Sequence, residues 1–110
     1  MTDYRSITLG TSKAFVAEYR RLERRIERQD AMRLGFIRAA EPEKAGEAAE
    51  RHSETVDAQE DLLYEEMLRL WVNARQTNEK LPELPESWDA EGSGRAIRFS
   101  FYEVEAFRGI

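Results

Sequence analysis

The sequence predicts a mainly α-helical fold: a long antiparallel helical hairpin with a short C-terminal β element, completed as a dimer. Three observations lead to this prediction. Two long segments repeat apolar residues every three or four positions, as helices do. A Glu-Pro pair separates those segments, and a stretch near the C-terminus alternates between apolar and polar residues. The chain has 110 residues, enough for a single small domain, which we take to span 1–110.

The first ten residues, 1–10, are predicted to form a short strand in which Ile7 and Leu9 alternate with polar residues. Thr11 or Ser12 is suited to cap the helix that follows, because a hydroxyl oxygen can accept a bond from a free helical N–H group. The sequence therefore predicts a strand followed directly by a helix.

A first helix is predicted over 12–39, a stretch that contains no proline. Its apolar stripe has spacings of three and four residues and becomes less regular after Gln29. The stripe is formed by Phe15, Tyr19, Leu22 and Ile26, and Met32, Phe36 and Ile37 are expected to add apolar surface.

A second helix is predicted over 42–80. The pair Glu41-Pro42 marks the break, because the residue before a proline is biased away from helical angles and proline suits the first turn of a helix. Val56, Leu63 and Leu70 then recur every seven residues. Two long helices with a short link predict the hairpin.

The segment 81–94 is rich in proline and glycine and is predicted to be an extended connector and turn. The strand and tail at 95–104 follow, with Ile97, Phe99 and Phe101 on one side of the strand. This strand is expected to pair with the N-terminal one. Because a two-stranded ribbon alone is marginal, it should lean on the helices or extend across a dimer.

Composition narrows the class of protein. Leu, Ile, Val and Phe number 23 of 110 residues, so the core is narrow, and two hairpins forming a four-helix homodimer would share it. The absence of cysteine excludes disulfide scaffolds and thiolate chemistry. No apolar run is long enough for a membrane span and the N-terminus lacks the apolar core of a signal peptide, so a cytoplasmic location is expected.

The charges are the most informative feature of the sequence. Residues 12–39 contain eight basic and four acidic residues, whereas residues 41–80 contain five basic and eleven acidic ones, giving +4 and −6. On the second helix, six acids are spaced four, three, four, three and four apart and point away from the apolar stripe. We call this row the acidic seam: Glu43, Glu47, Glu50, Glu54, Asp57 and Asp61. On the first helix, Arg20, Arg24 and Arg28 form a basic face opposite Leu22.

Four interpretations of these faces remain open. In the first, both faces are ordinary solvated surfaces. In the second, the basic face of one hairpin contacts the acidic seam of another. Alternatively, the seam imitates a row of phosphates and blocks a nucleic-acid-binding complex, a strategy open to phage-type inhibitors. In the last, the basic face contacts phosphates directly, an interpretation weakened by Glu23 and Glu27 and by the acidic second helix.

Signatures of catalysis are sparse. His52 is the only histidine, and it falls on the helical row of Ala49 and Val56, where a partly buried core role is expected. One histidine without cysteine rarely supplies the three or four ligands of a zinc site. Gly92-Ser93-Gly94 does not open a helix, so it is not a phosphate-binding loop. We therefore expect no enzyme, no metal and no cofactor.

Aromatic residues outside the helices have two interpretations. Trp88, Phe99 and Phe101 either complete a thin core or form a docking edge for a partner. Trp88 is the preferred anchor, since its neighbours in the sequence are polar. The sequence as a whole predicts a non-enzymatic protein that binds another macromolecule, as a small regulator, adaptor or inhibitor.

Overall fold

A computed structural model of the protein describes residues 6–93 and 96–102. The described chain is mainly helical and carries a small antiparallel sheet, which confirms the coarse fold prediction; dimerisation stays a prediction. The residues fall into two compact units, a sheet unit within 1–16 and 63–110 and a hairpin unit of residues 17–62. The elements are β1 (Ser6–Gly10), α1 (Lys13–Arg38), α2 (Pro42–Thr77), β2 (Trp88–Ser93) and β3 (Ala96–Tyr102).

The hairpin unit turns at the predicted Glu-Pro break. Ala40 has a φ of 57°, in the left-handed region. The N–H of Glu41 donates to the Phe36 carbonyl at 2.9 Å and that of Ala40 to the Ile37 carbonyl at 3.1 Å. These two bonds form a Schellman motif, which satisfies the last carbonyls of α1 before α2 begins at Pro42.

Replacing Ala40 with glycine is expected to raise the free energy of unfolding by about 0.5–1 kcal/mol. A left-handed conformation is unfavourable by about 1–2 kcal/mol for an L-residue with a Cβ, while glycine adopts it freely but loses more entropy on folding. Urea denaturation followed by circular dichroism measures the change. A loss of stability in Ala40→Gly would contradict the left-handed assignment.

Inside the hairpin unit, Leu22 of α1 and Ala48 and Thr55 of α2 are buried. The hydroxyl of Thr55 donates to the Arg51 carbonyl at 2.9 Å, so its burial leaves no donor unsatisfied. The later part of α1 differs from the prediction, because Met32 and Ile37 are about half exposed, at 49% and 53%. Phe36 is half-buried in this part of the helix, as are the polar residues Gln29 and Arg33.

The sheet unit contains three antiparallel strands in the order β1-β3-β2. The predicted pairing of the two terminal segments is confirmed, with Ile7 opposite Phe101 and Leu9 opposite Phe99. The prediction of a connector throughout 81–94 was wrong in its last part, because β2 pairs with β3 from Trp88 onward. A third strand removes the need to stabilise an isolated ribbon.

One face of the sheet forms the core of this unit. Along β3, Ile97, Phe99 and Phe101 are buried while Ala96 and Arg98 are exposed, as the alternation predicts. The apolar helical and connector residues of the same unit that are buried with them are Phe15, Met67, Leu70, Trp71 and Leu81.

Trp71 makes two further contacts in this core. The Trp71 ring lies 5.0 Å from that of Phe101, and its indole N–H donates to the Pro82 carbonyl at 2.9 Å. The Ser12 hydroxyl caps α1 by accepting from the N–H of Phe15 at 3.1 Å. Within the described residues, no helix is long and apolar enough to cross a bilayer.

Candidate interaction surfaces

The acidic seam lies entirely on the part of α2 that belongs to the hairpin unit. All six of its side chains are exposed. At about 100° per residue they occupy an arc of about 80° on the helix surface, and at about 1.5 Å per residue they extend over about 27 Å. The structure therefore presents one straight row of carboxylates, composed of Glu43, Glu47, Glu50, Glu54, Asp57 and Asp61.

The seam faces away from the interior of the hairpin unit. The buried residues of this part of α2, Ala48 and Thr55, lie at least about 120° around the helix from the centre of the seam. His52 and Val56, both half-buried, fall on the same inner side. Packing within the unit thus leaves the carboxylates in solvent.

The seam also lacks the ion pairs that other acids have. Within the described parts of the chain, five acids pair with a cation three residues away, and none belongs to the seam; these acids are Glu18, Glu23, Asp30, Glu41 and Glu66. Lys44 contacts Glu41 at 3.2 Å and not Glu47. Arg51 has suitable spacing for Glu47 and Glu54, yet forms no ion pair with either in this structure.

The paired acids show what the seam carboxylates lack. The guanidinium of Arg21 donates two hydrogen bonds to Glu18, which lower the pKa of that carboxyl. A hydrogen bond from Arg69 to Glu66 likewise raises the pKa of the arginine. Ion pairs of this kind neutralise charge locally. The seam carboxylates have no such ion pair, so their charge is not neutralised within the described chain.

The basic face is smaller than predicted. Arg24 and Arg28 are exposed on the side of α1 opposite the buried Leu22. Arg20 is half-buried and donates to Glu23 at 2.9 Å, while its Nε and Nη2 atoms are buried without a hydrogen-bond partner. Its guanidinium therefore faces protein more than solvent, and two arginines, not three, are presented freely.

The structure places the aromatic candidates in the core. Phe99 and Phe101 are fully buried, at 0% exposure, so they are not available as a docking edge and that hypothesis is corrected. Trp88 is half-buried, with its ring 5.7 Å from that of Phe99. Trp88 has polar neighbours in the sequence, but in the fold the adjacent strand supplies an apolar one.

A feature missed by sequence reasoning is a groove beside β1 in the sheet unit. It has a volume of about 490 Å³ and is lined by residues of β1, of the C-terminal end of α2 and of the following turn, including Ile7, Leu9, Ala74, Thr77 and Leu81. The only signal in the sequence was the predicted pairing of the terminal strands, which leaves β1 at an edge.

No group of three or more potential metal-ligating side chains is found among the residues that the structure describes. Comparison of the chain with protein-family models, with curated proteins and with solved structures finds no match.

Proposed function

We propose that this protein is a non-enzymatic interaction protein, a small regulator, adaptor or inhibitor, that binds another protein through the acidic seam. The observation that carries the proposal is the exposure of all six seam carboxylates with no ion pair in the described chain. Like charges four residues apart destabilise a helix by about 0.2–0.5 kcal/mol per pair. A basic partner relieves this repulsion on binding.

The chemistry of the seam defines the partner as a protein with a basic surface. Opposite charges steer association and raise its rate, and they also select against acidic competitors. Because the carboxylates are exposed, salt screens them over about 8–10 Å at physiological ionic strength. The affinity should therefore fall as salt is added.

A second candidate function is imitation of a nucleic-acid backbone. Seam positions three and four residues apart are separated by about 5–6 Å along the helix axis, which makes a regular row of negative charges. Grooves that bind nucleic acid are lined with Lys and Arg that neutralise phosphates. In this hypothesis the protein inhibits a nucleic-acid-binding complex, and its partner is again a basic protein.

Direct binding of nucleic acid through the basic face ranks below both. Arg20 is engaged with Glu23, which leaves Arg24 and Arg28 as its freely exposed cations. Two phosphate contacts supply little of the counterion release that drives such binding.

Reversing the charge of the seam is expected to abolish partner binding. The test variant carries Glu47, Glu50, Glu54 and Asp57→Lys. A matched control carries Glu27, Glu60, Glu79 and Glu83→Lys, which changes the net charge equally at four exposed acids outside the seam. Each is immobilised and exposed to nuclease-treated lysate, and the captured partner is purified for titration.

We expect the seam variant to bind the purified partner at least about 10-fold more weakly, and the control to lose less than about 3-fold. Equal binding by both variants would mean that the seam is merely solvated. Equal loss would mean that only net charge matters. If duplex DNA competes with this protein for the partner, the result supports the phosphate-mimic hypothesis. If the protein itself binds DNA and the variant Arg20, Arg24 and Arg28→Ala does not, direct binding of nucleic acid would replace the proposal.

A further inference from the structure

The sheet has two edges of different character. β3 is central, so β1 and β2 each have one side without a strand neighbour among the described residues. The strand β2 has two acids on its exposed face, Asp89 and Glu91. By contrast, β1 (Ser6–Gly10) contains neither charge nor proline. Proteins commonly use charges, prolines or bulges to prevent edge strands from pairing, and β1 has none of these.

The direction of the backbone groups of β1 follows from its pairing. The N–H of Thr11 donates to the Ile97 carbonyl at 3.3 Å, which makes these residues a hydrogen-bonded pair. In an antiparallel ladder such pairs alternate. Ile7 and Leu9 therefore direct their N–H and C=O groups to β3, while Thr8 and Gly10 direct theirs outward.

The opposite edge supports this assignment. The N–H of Tyr102 donates to the Ser87 carbonyl at 2.9 Å, so the alternate residues of β3 bond to β2. The backbone groups of the other alternate residues of β3 therefore bond to β1, in agreement with the bond from Thr11. The outward groups of Thr8 and Gly10 have no backbone partner within the described chain.

The groove of about 490 Å³ runs beside this same edge. Its volume lies within the range of about 300–1,000 Å³ that suits organic ligands, so it has room for aliphatic side chains. Ile7 and Leu9 are only half-buried there, and Lys80, an exposed residue, is the one charged side chain among the lining residues. A strand added to β1 would direct alternate side chains into the groove.

We propose that two copies of this chain pair through β1, antiparallel and centred on Thr8, to form a continuous six-stranded sheet. In this register the outward groups of Thr8 bond to Thr8 of the partner subunit. Ile7 then lies opposite Leu9 of the partner subunit, so apolar side chains meet on the inner face and enter the two grooves. Because β1 contains no charged residue, the two paired β1 strands do not repel each other.

A strand pair alone is too small for a stable dimer, so the proposed interface must also bury the side chains that line the groove. Stable interfaces bury about 1,200–2,000 Å² in total, more than two five-residue strands provide by their backbones. The side chains of Ile7 and Leu9 and the end of α2 from both copies add apolar area. This interface does not involve the acidic seam, so its test is independent of the proposed function.

Sedimentation equilibrium over a range of concentrations tests the proposal with three variants. Thr8→Pro removes an outward N–H without removing a bond to β3, and proline is tolerated at such edge positions. Thr8→Val keeps the N–H and the branched side chain. Ala90→Pro makes the equivalent change on β2, where the register also directs the N–H outward.

We expect wild type, Thr8→Val and Ala90→Pro to dimerise, and Thr8→Pro to dimerise at least 10-fold more weakly while its circular dichroism spectrum is unchanged. A wild-type protein that is monomeric up to about 0.5 mM would overturn the proposal and leave the edge for a strand of another protein. Undiminished dimerisation of Thr8→Pro would also overturn it, by placing the interface elsewhere.

Amide hydrogen exchange provides a readout that needs no variant. The N–H groups of Ile7 and Leu9 should be protected at every concentration, because they bond within the chain. Those of Thr8 and Gly10 should gain at least about 10-fold protection only as the dimer forms. Rapid exchange of both amides at a concentration where the mass is dimeric would contradict the β1 interface.

Discussion

Trp71→Ala is expected to lower the free energy of unfolding by about 3–5 kcal/mol, as truncation of a buried aromatic side chain usually does. Trp71 is fully buried, and its ring packs 5.0 Å from that of Phe101. Alanine leaves a cavity in the centre of the sheet unit and also leaves the Pro82 carbonyl without its donor. Urea denaturation followed by circular dichroism measures the loss.

Two further variants separate the contributions to this effect. Trp71→Phe retains much of the apolar contact but lacks the indole N–H, so we expect a smaller loss of about 1–3 kcal/mol. Val72→Ala, at the next position, alters a side chain that is 52% exposed and should change stability by no more than about 0.5 kcal/mol. Equal losses in Trp71→Ala and Val72→Ala would be inconsistent with a core centred on Trp71.

Gly92→Ala is expected to destabilise the protein by about 1–3 kcal/mol through overpacking. A Cβ at this position would lie 2.8 Å from both the Ala96 carbonyl oxygen and Ile97 Cγ1. The oxygen belongs to the backbone and the Ile97 side chain is buried, so neither can move easily.

The matched control is Gly46→Ala, in the second turn of α2, where a Cβ would meet nothing within 4 Å. There alanine should raise stability by about 0.5–1 kcal/mol, because glycine is a poor helix former. Thermal and urea denaturation of the two variants should therefore give shifts of opposite sign. Shifts of the same sign would show that Gly92 does not lie against β3 as closely as the structure places it.

The elements that sequence reasoning predicted are those whose signal lies within one segment. The alternation of Ile97, Phe99 and Phe101 predicts the buried face of β3, and the periodicity of α1 and α2 predicts two helices. Exposure of the acidic seam also follows from spacing, since helix geometry alone places its residues opposite the apolar stripe.

The strand β2 was missed because its signal lies in another strand. Its sequence, WDAEGS, has one large apolar residue, and its remaining inner positions are the small Ala90 and Gly92. Gly92 is small because Ile97 of β3 approaches it closely, a contact that the sequence does not reveal. Trp88 looked isolated for the same reason, since the ring beside it belongs to Phe99.

The basic face was overestimated for a related reason. Spacing places Arg20 with Arg24 and Arg28, but it does not show that Arg20 donates to Glu23 and that two of its nitrogens are buried. Likewise, Met32 and Ile37 are apolar yet exposed, whereas the polar Gln29 and Arg33 of the same part of α1 are half-buried.

The order of the strands in the sheet has a consequence for folding kinetics. β1 pairs with β3, so the Thr8 and Ser100 hydroxyls, 3.2 Å apart, are separated by 92 residues in sequence. Contacts between such distant segments form slowly, because the entropy of closing the intervening loop opposes them. On the ribosome, β1 emerges long before its partner strand exists. Its pairing with β3 must therefore wait until β3 has been synthesised, whereas the helices of the hairpin unit can form from local contacts in the meantime.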